Sequence, residues 1–412
     1  MTTQQLCARP WIYVRCLSPP DFCIRRLLAT AALRPSIVQH EASGQLMALA
    51  AFAPYRLAME ECGSALLDYA TLHNAVTGMR SSHTLRKPEH VSASLRGVLV
   101  VKPEHGGMGN VLRIIGQYAL LGVLLRRVVC LELDYQDPRF PSADSMHAQI
   151  HPYAHSPVLD WRCLGVPMRS STAHVIHVTK RNNSGLLNYF GSIDLEKDLS
   201  AFELVRIHAD STRVEQVLLS NPFLRAKQLV PRGRSAGACV RQLLLQPTKQ
   251  TLDALSLYLN RLPFPRPYAA AHIRLGDSQM AGLGGAADLR VRPTHHNKLF
   301  QCVLARLMGS SEQSNASTYF VATDNAEIVP ELLQRSRMRA VFVPGTPVHT
   351  GAWAQAHSYR SNNVQGLQKV WLDHFLLSLG NGQLVSSGGR LSSFAEEAAA
   401  RHTRFRGIIR CR

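Results

Sequence analysis

The 412 residues predict an α/β architecture of two domains, the second a doubly wound parallel sheet. Three observations predict it. Strand-like and helix-like patterns alternate across residues 264–401, the order that builds a doubly wound parallel sheet. A separate strand, glycine loop, helix and strand occupy residues 98–134. The length also exceeds what one hydrophobic core ordinarily organises.

Composition narrows the class. Hydrophobic residues make up 46% and charged residues 18%, a globular balance that excludes a disordered chain. A net charge of +18 favours anionic partners such as nucleotides, phosphorylated sugars, nucleic acid or acidic membrane faces. The arginines are scattered as a surface surplus, densest at Arg401, Arg404, Arg406, Arg410 and Arg412. They are not interleaved with aromatic rings, so no nucleic-acid partner is expected. Nine cysteines run from Cys7 to Cys411 without a CxxC pair, which removes zinc spacing. Their odd number precludes complete internal pairing and leaves room for one or two disulfides. Asn182 and Asn315 fit the glycosylation sequon. No run of about 18 apolar residues reads as a membrane span. From Met1 to His40 five arginines face the single acid Asp21, as in an organelle transit peptide or a cytosolic stub.

The preface, residues 1–96, holds two short helical patterns, Gln45 to Leu57 and Ala65 to Val76. Residues 97–262 form the first domain. Val98 to Val101 is a short β-branched run of the kind buried on both faces. After Pro103 come Gly106, Gly107, Gly109 and Asn110, then a helical spacing of Leu112, Ile115, Tyr118, Ala119, Gly122 and Val123. The glycines by themselves mean tight packing or positive φ. Asn110 is an unusual helix residue whose amide suits a cap or a ligand. Together the unit lets backbone N–H groups approach an anion at a helix start. A strand follows at Val128 to Leu133, a loop at Asp137 to Pro167, and a strand at Val175 to Val178. His174 and His177 read as ordinary side chains at that strand's edge. Leu199 to Gln216 and Val217 to Leu229 have helical spacing, broken at Pro222. A helix over Gln250 to Leu262 ends in Pro263, Pro265 and Pro267, which mark the boundary.

The second domain, residues 263–412, opens with YAAAHIRLGD, Tyr268 to Asp277. This is a buried strand that delivers His272, Arg274 and Asp277 to the carboxyl edge of the sheet, where ligands bind. The arginine fork suits a phosphate, and Asp277 is placed to hold it. The plainer alternative is a surface ion pair worth about 0–1 kcal/mol. The loop Ser278 to Arg292 contains Gly282, Gly284 and Gly285. His295 and His296 lack a third metal ligand and read as a polar helix start before Lys298 to Met308. Thr318 to Ala322 is a strand ending at Thr323, Asp324 and Asn325. Ala326 to Gln334 is a helix, Ala340 to Val343 a strand and Val364 to Leu379 a helix. Gln383 to Ser386 leads through Gly388 and Gly389 to Ser392, Ser393 and Phe394. There Ala395 to Arg401 begins a helix with Ser392 or Ser393 as cap and Glu396 and Glu397 at its positive end.

The ordered set GGMGN, HIRLGD, FVATDN and SSGGRLSSF resembles the GT-B fucosyltransferases. These include plant xyloglucan α1,2-fucosyltransferases, other α1,2-fucosyltransferases and protein O-fucosyltransferases. The resemblance covers residues 98–150 and 264–401. It implies a GT-B-like fold, two Rossmann-like domains facing a cleft. It also implies transfer of fucose from GDP-fucose to a hydroxyl of a glycan or glycoprotein, with inversion. No cofactor or metal is implied, in line with the lack of a D-x-D motif. By this resemblance Arg274 grips the diphosphate with His272 and Asp277 beside it, and Asp324 contacts guanine or holds the donor loop. Ser392, Ser393 and Phe394 present hydroxyl and N–H groups to the β-phosphate. Gly107, Gly109 and Asn110 close from the first domain. The general base is open among Glu104, His105, Asp277 and His349. Golgi or another secretory lumen is the implied location, although no anchor is recognisable and membrane association is left open. The competing readings are a transferase for another nucleotide sugar, a non-catalytic nucleotide- or sugar-binding descendant, and a basic nucleic-acid binder.

Overall fold

A computed structural model describes residues 62–77, 95–103, 107–133, 149–156, 159–163, 173–179, 183–210, 213–225, 227, 229–230, 235–262, 268–274, 293–312, 318–324, 339–345, 347, 364–380, 383–387, 392–401 and 407–411. Helix α1 (Ser64–Thr77) precedes β1 (Val98–Pro103), α2 (Met108–Leu124) and β2 (Val128–Leu131). There follow β3 (Ala154–His155), β4 (His174–Val178), α3 (Asn183–Ser192), α4 (Leu195–Asp198) and β5 (Leu204–Ala209). Next come α5 (Glu215–Ser220), α6 (Pro222–Arg225), α7 (Ala236–Leu244), β6 (Gln246–Pro247) and α8 (Lys249–Leu259). The remaining elements are β7 (Ala269–Ile273), α9 (Pro293–Glu312), β8 (Thr318–Thr323), β9 (Arg339–Val341), α10 (Val364–Ser378), β10 (Gln383–Ser387), α11 (Ser393–Ala400) and β11 (Gly407–Cys411).

Two parallel sheets organise the chain. The first has the order β2-β1-β5-β4, with Val98 opposite both Val128 and Leu204. The second has the order β11-β10-β7-β8-β9, with His272 between Ser386 and Ala322. Every residue of β2, β7 and β8 is buried, as strands covered on both faces must be. A short antiparallel pair joins β3 to β6. Thr248 caps α8 by accepting the Thr251 N–H, and Ser235 caps α7 by accepting the Ala238 N–H.

Helix α2 is buried at every residue except Asn110. It is covered on all sides because it lies between the first sheet and elements of the second unit, and its few polar side chains, Arg113 and Gln117, are buried with it. One hydrophobic cluster is continuous from Leu99, Ile115 and Ile207 through Leu255 to Phe320, Trp371 and Ala395. Polar ties reinforce this continuity. Trp371 Nε1 donates to the Gln149 carbonyl at 2.8 Å, and Tyr268 donates to the Leu376 carbonyl at 2.5 Å. Among the described residues no helix is long and apolar enough to cross a membrane.

Several expectations need correction. The helix read over Leu199 to Gln216 is instead the strand β5, flanked by α4 and α5. Leu199, Phe202 and Ile207, at i, i+3 and i+8, mimic a helical face, but pairing with β1 on one side and β4 on the other decides the conformation. Val217 to Leu229 resolves into two short helices around Asn221, whose side chain accepts from the N–H groups of Phe223 and Leu224. Among the described residues three disulfides form where one or two were expected: Cys62–Cys239, Cys130–Cys163 and Cys302–Cys411. Arg401, read as surface charge, is 1% exposed. It lies over the Phe375 ring at 5.2 Å and donates to the Leu245 carbonyl. The helix over Ala326 to Gln334, the pattern over Gln45 to Leu57 and both sequon asparagines, Asn182 and Asn315, lie outside the described residues.

Candidate functional site

The site is built where α2 meets α11. Gly107 is the N-cap of α2 in extended backbone, with no side-chain cap. Asn110 is therefore the third helical residue and not a cap, and its N–H donates to the Gly107 carbonyl at 2.9 Å. Gly109 presses directly on the start of α11: a Cβ there would collide with the backbone N and Cα of Phe394. No side chain has room at this contact.

Ser392 is the N-cap of α11, 2% exposed, and its hydroxyl makes neither a capping bond nor any other hydrogen bond. The first intrahelical donor at this end is Glu396 N–H, to the Ser392 carbonyl at 3.0 Å. The N–H groups of Ser393, Phe394 and Ala395 thus have no acceptor within the helix. Phe394 is held between two histidine rings, 5.7 Å from His272 and 5.4 Å from His374. His374 is neutral there: burial, then Arg401 and Arg241, hold its pKa well below the usual imidazole value.

His272 belongs to β7, and Arg274 follows that strand's carboxyl end. The Arg274 N–H donates to Ser387 Oγ at 2.7 Å, which links the ends of β7 and β10. Arg274 Nε lies 3.8 Å from Asp324 Oδ2, just beyond the end of β8. Asp277, expected to hold this guanidinium, lies outside the described residues, as do Glu104, His105 and His349. The described sequence-predicted residues thus form a chain of neighbours. Gly109 meets Phe394, Phe394 faces His272, and Arg274 is joined to Ser387 and Asp324.

The sequence reading missed an ionic cluster behind the same helix. Glu396 in the first turn of α11 and Glu397 after it are also paired with arginines. Arg113 on α2 reaches both, and Arg241 on α7 bonds Glu397 at 2.8 Å and Glu215 at 2.7 Å. Arg213 bonds Glu396 at 2.6 Å. Burial lowers the proton affinity of Arg241, yet Glu397 and Glu215 more than offset this and hold its pKa above the usual value. Only spatial proximity reveals the cluster, since Arg241 and Glu397 are 156 residues apart. Elsewhere, His174 stacks on Phe202 at 4.3 Å and His177 meets His208 edge-on at 4.9 Å. Among the described residues no three His, Cys, Asp or Glu side chains come together as a metal site.

No protein-family model and no curated protein matches the chain. Among solved structures it is similar to a mutant of Arabidopsis thaliana FUT1 in complex with GDP, at 14% identity over 82% of this chain and 76% of that one, TM-score 0.49. It is also similar to the fucosyltransferase NodZ from Bradyrhizobium, at 10% identity over 73% and 92%, TM-score 0.39. A further likeness is to POFUT1 in complex with GDP-fucose, at 12% identity over 78% and 99%, TM-score 0.39.

Proposed function

We propose that the chain is a glycosyltransferase that moves fucose from GDP-fucose to a hydroxyl of a glycan or glycoprotein, with inversion and without a metal. The observation that carries the reading is the start of α11. Its N–H groups are uncapped, the buried Ser392 hydroxyl is unengaged, and the backbone of Ser393 and Phe394 meets the side-chain-free surface of Gly109. A helix start with spare donors suits an anion, and the approach of a second glycine turn suits a diphosphate spanning both. The four motif segments resembling GT-B fucosyltransferases supply the donor identity.

Departure of GDP builds negative charge on the β-phosphate. Donors fixed before reaction stabilise that charge where it develops. In this reading α11 supplies the N–H groups and the Ser392 hydroxyl, and Arg274 supplies a guanidinium steadied by Asp324 and by its own N–H bond to Ser387. The His272 ring, in contact with Phe394, stands beside these donors. Asn110, the one residue of α2 not buried, is the side chain that α2 offers to the donor. The base that activates the acceptor is unassigned. A secretory lumen is the proposed location, which three disulfides favour because such bonds persist in oxidising compartments.

Thermal denaturation with GDP, UDP, GDP-fucose and GDP-mannose tests the donor. GDP and GDP-fucose should raise Tm, and Arg274→Ala should abolish most of that rise. An undiminished rise in the variant would remove Arg274 from the diphosphate. Turnover of GDP-fucose should persist in EDTA.

A further inference from the structure

An anion site at the start of α11 faces an electrostatic difficulty of its own making. Glu396 lies in the first turn and Glu397 follows it. Carboxylates there complement the positive helix end and compete with a bound anion. Instead, both are engaged from behind by cations on three other segments. Arg113 Nη2 pairs with Glu396, and Arg113 Nε lies 3.2 Å from Glu397 Oε1. Arg213 Nη2 is 2.6 Å from each Glu396 oxygen. Arg241 Nε is 2.8 Å from Glu397 Oε2. Packing enforces the arrangement, since a Cβ at Gly116 would stand 2.9 Å from Arg241 Nε. Arg241 and Glu397 are 4% and 3% exposed, so their charges are poorly screened by water.

We propose that Arg113, Arg213 and Arg241 shield the nucleoside diphosphate site, neutralising Glu396 and Glu397 so that the α11 N-terminus keeps its affinity for an external anion. This rests on the donor reading above. The three arginines act through the glutamates and touch no substrate; they are positioning residues whose effect is electrostatic. A purely mechanical clamp would hold α11 in place and affect every ligand alike. A shield discriminates by ligand charge.

Calorimetric titration of the full chain with GDP and with guanosine separates the two. Arg213 is suited to the test because its side chain is 64% exposed, so its replacement leaves the core intact. Arg213→Gln should weaken GDP by about two- to fivefold, the scale of an exposed ion pair, and leave guanosine unchanged. Glu396→Gln, an independent variant of the same shape, should tighten GDP by a similar factor. In Arg213→Gln/Glu396→Gln the penalty of the arginine change should vanish. Equal shifts for GDP and guanosine, or no shift in either variant, would overturn the shield while leaving the donor reading intact. Failure of the wild-type chain to bind GDP would instead overturn the donor reading, and this inference with it.

Discussion

Lys369 and Asp373 stand one turn apart on α10 with side chains 3% and 5% exposed, and Lys369 Nζ is 2.9 Å from Asp373 Oδ2. The ammonium also donates to the Val343 carbonyl at 2.8 Å, whereas Asp373 Oδ1 has no hydrogen bond. Burial pushes the Asp373 carboxyl from 3.8 up to about 6, against the pull of Lys369. The folded value exceeds the unfolded one, so between them the folded chain keeps a proton that the unfolded chain has released. The contribution of Asp373 to stability is then full below the lower value and is lost as pH rises through the upper one. The stability of the wild type relative to Asp373→Asn should accordingly fall across that window in a buffered thermal-denaturation series. A flat difference would mean that Lys369 holds Asp373 ionised throughout. At this scale the sequence disclosed the residues that end strands or start helices, such as Arg274 and Ser392, because local pattern marks such positions. It did not disclose Arg241 or Arg401, whose partners are remote in the chain.

Between α2 and α11 the decisive feature is the missing side chain at Gly109. The neighbour it meets is backbone, which cannot rotate aside as a side chain would. Gly109→Ala should destabilise the fold by about 1–3 kcal/mol, the usual cost of overpacking, and should also abolish the Tm rise caused by GDP. A variant that keeps the full GDP response would show that α2 and α11 need not touch at the site. The strand, glycine turn and helix from β1 to α2 were legible because a β-branched run and a 3.6-residue apolar period follow one another. Strand β5 was not, because its apolar residues fit a helix as well as a strand until β1 and β4 supply hydrogen-bond partners. The last strand, β11, is a short Ile-containing run whose place beside β10 is likewise a matter of pairing.

Taken whole, the molecule is tied together over long chain distances. Cys62–Cys239 spans 177 residues, Cys302–Cys411 spans 109 and Cys130–Cys163 spans 33. By loop-closure entropy these bonds stabilise by about 5, 5 and 4 kcal/mol respectively. Cys62→Ser/Cys239→Ser should therefore lower Tm at least as far as Cys130→Ser/Cys163→Ser. The opposite order would place the stabilisation in the native packing near Cys130. Cys239 also belongs to α7, the helix that carries Arg241, so the first pair should in addition weaken GDP binding. No spacing rule forecast these pairings, because cysteines far apart in sequence pair only once the fold has brought them close.

By itself the sequence determined that the chain alternates strands and helices in two sets, where its glycine and serine turns fall, and which residues stand at the carboxyl ends of its strands. Those are properties of short windows, readable from side-chain period and backbone preference. The tertiary structure alone decided that Gly109 abuts Phe394, that three arginines gather behind Glu396 and Glu397, and that the core passes from one sheet to the other. Such contacts join residues a hundred or more positions apart, and only close packing of the finished fold selects them.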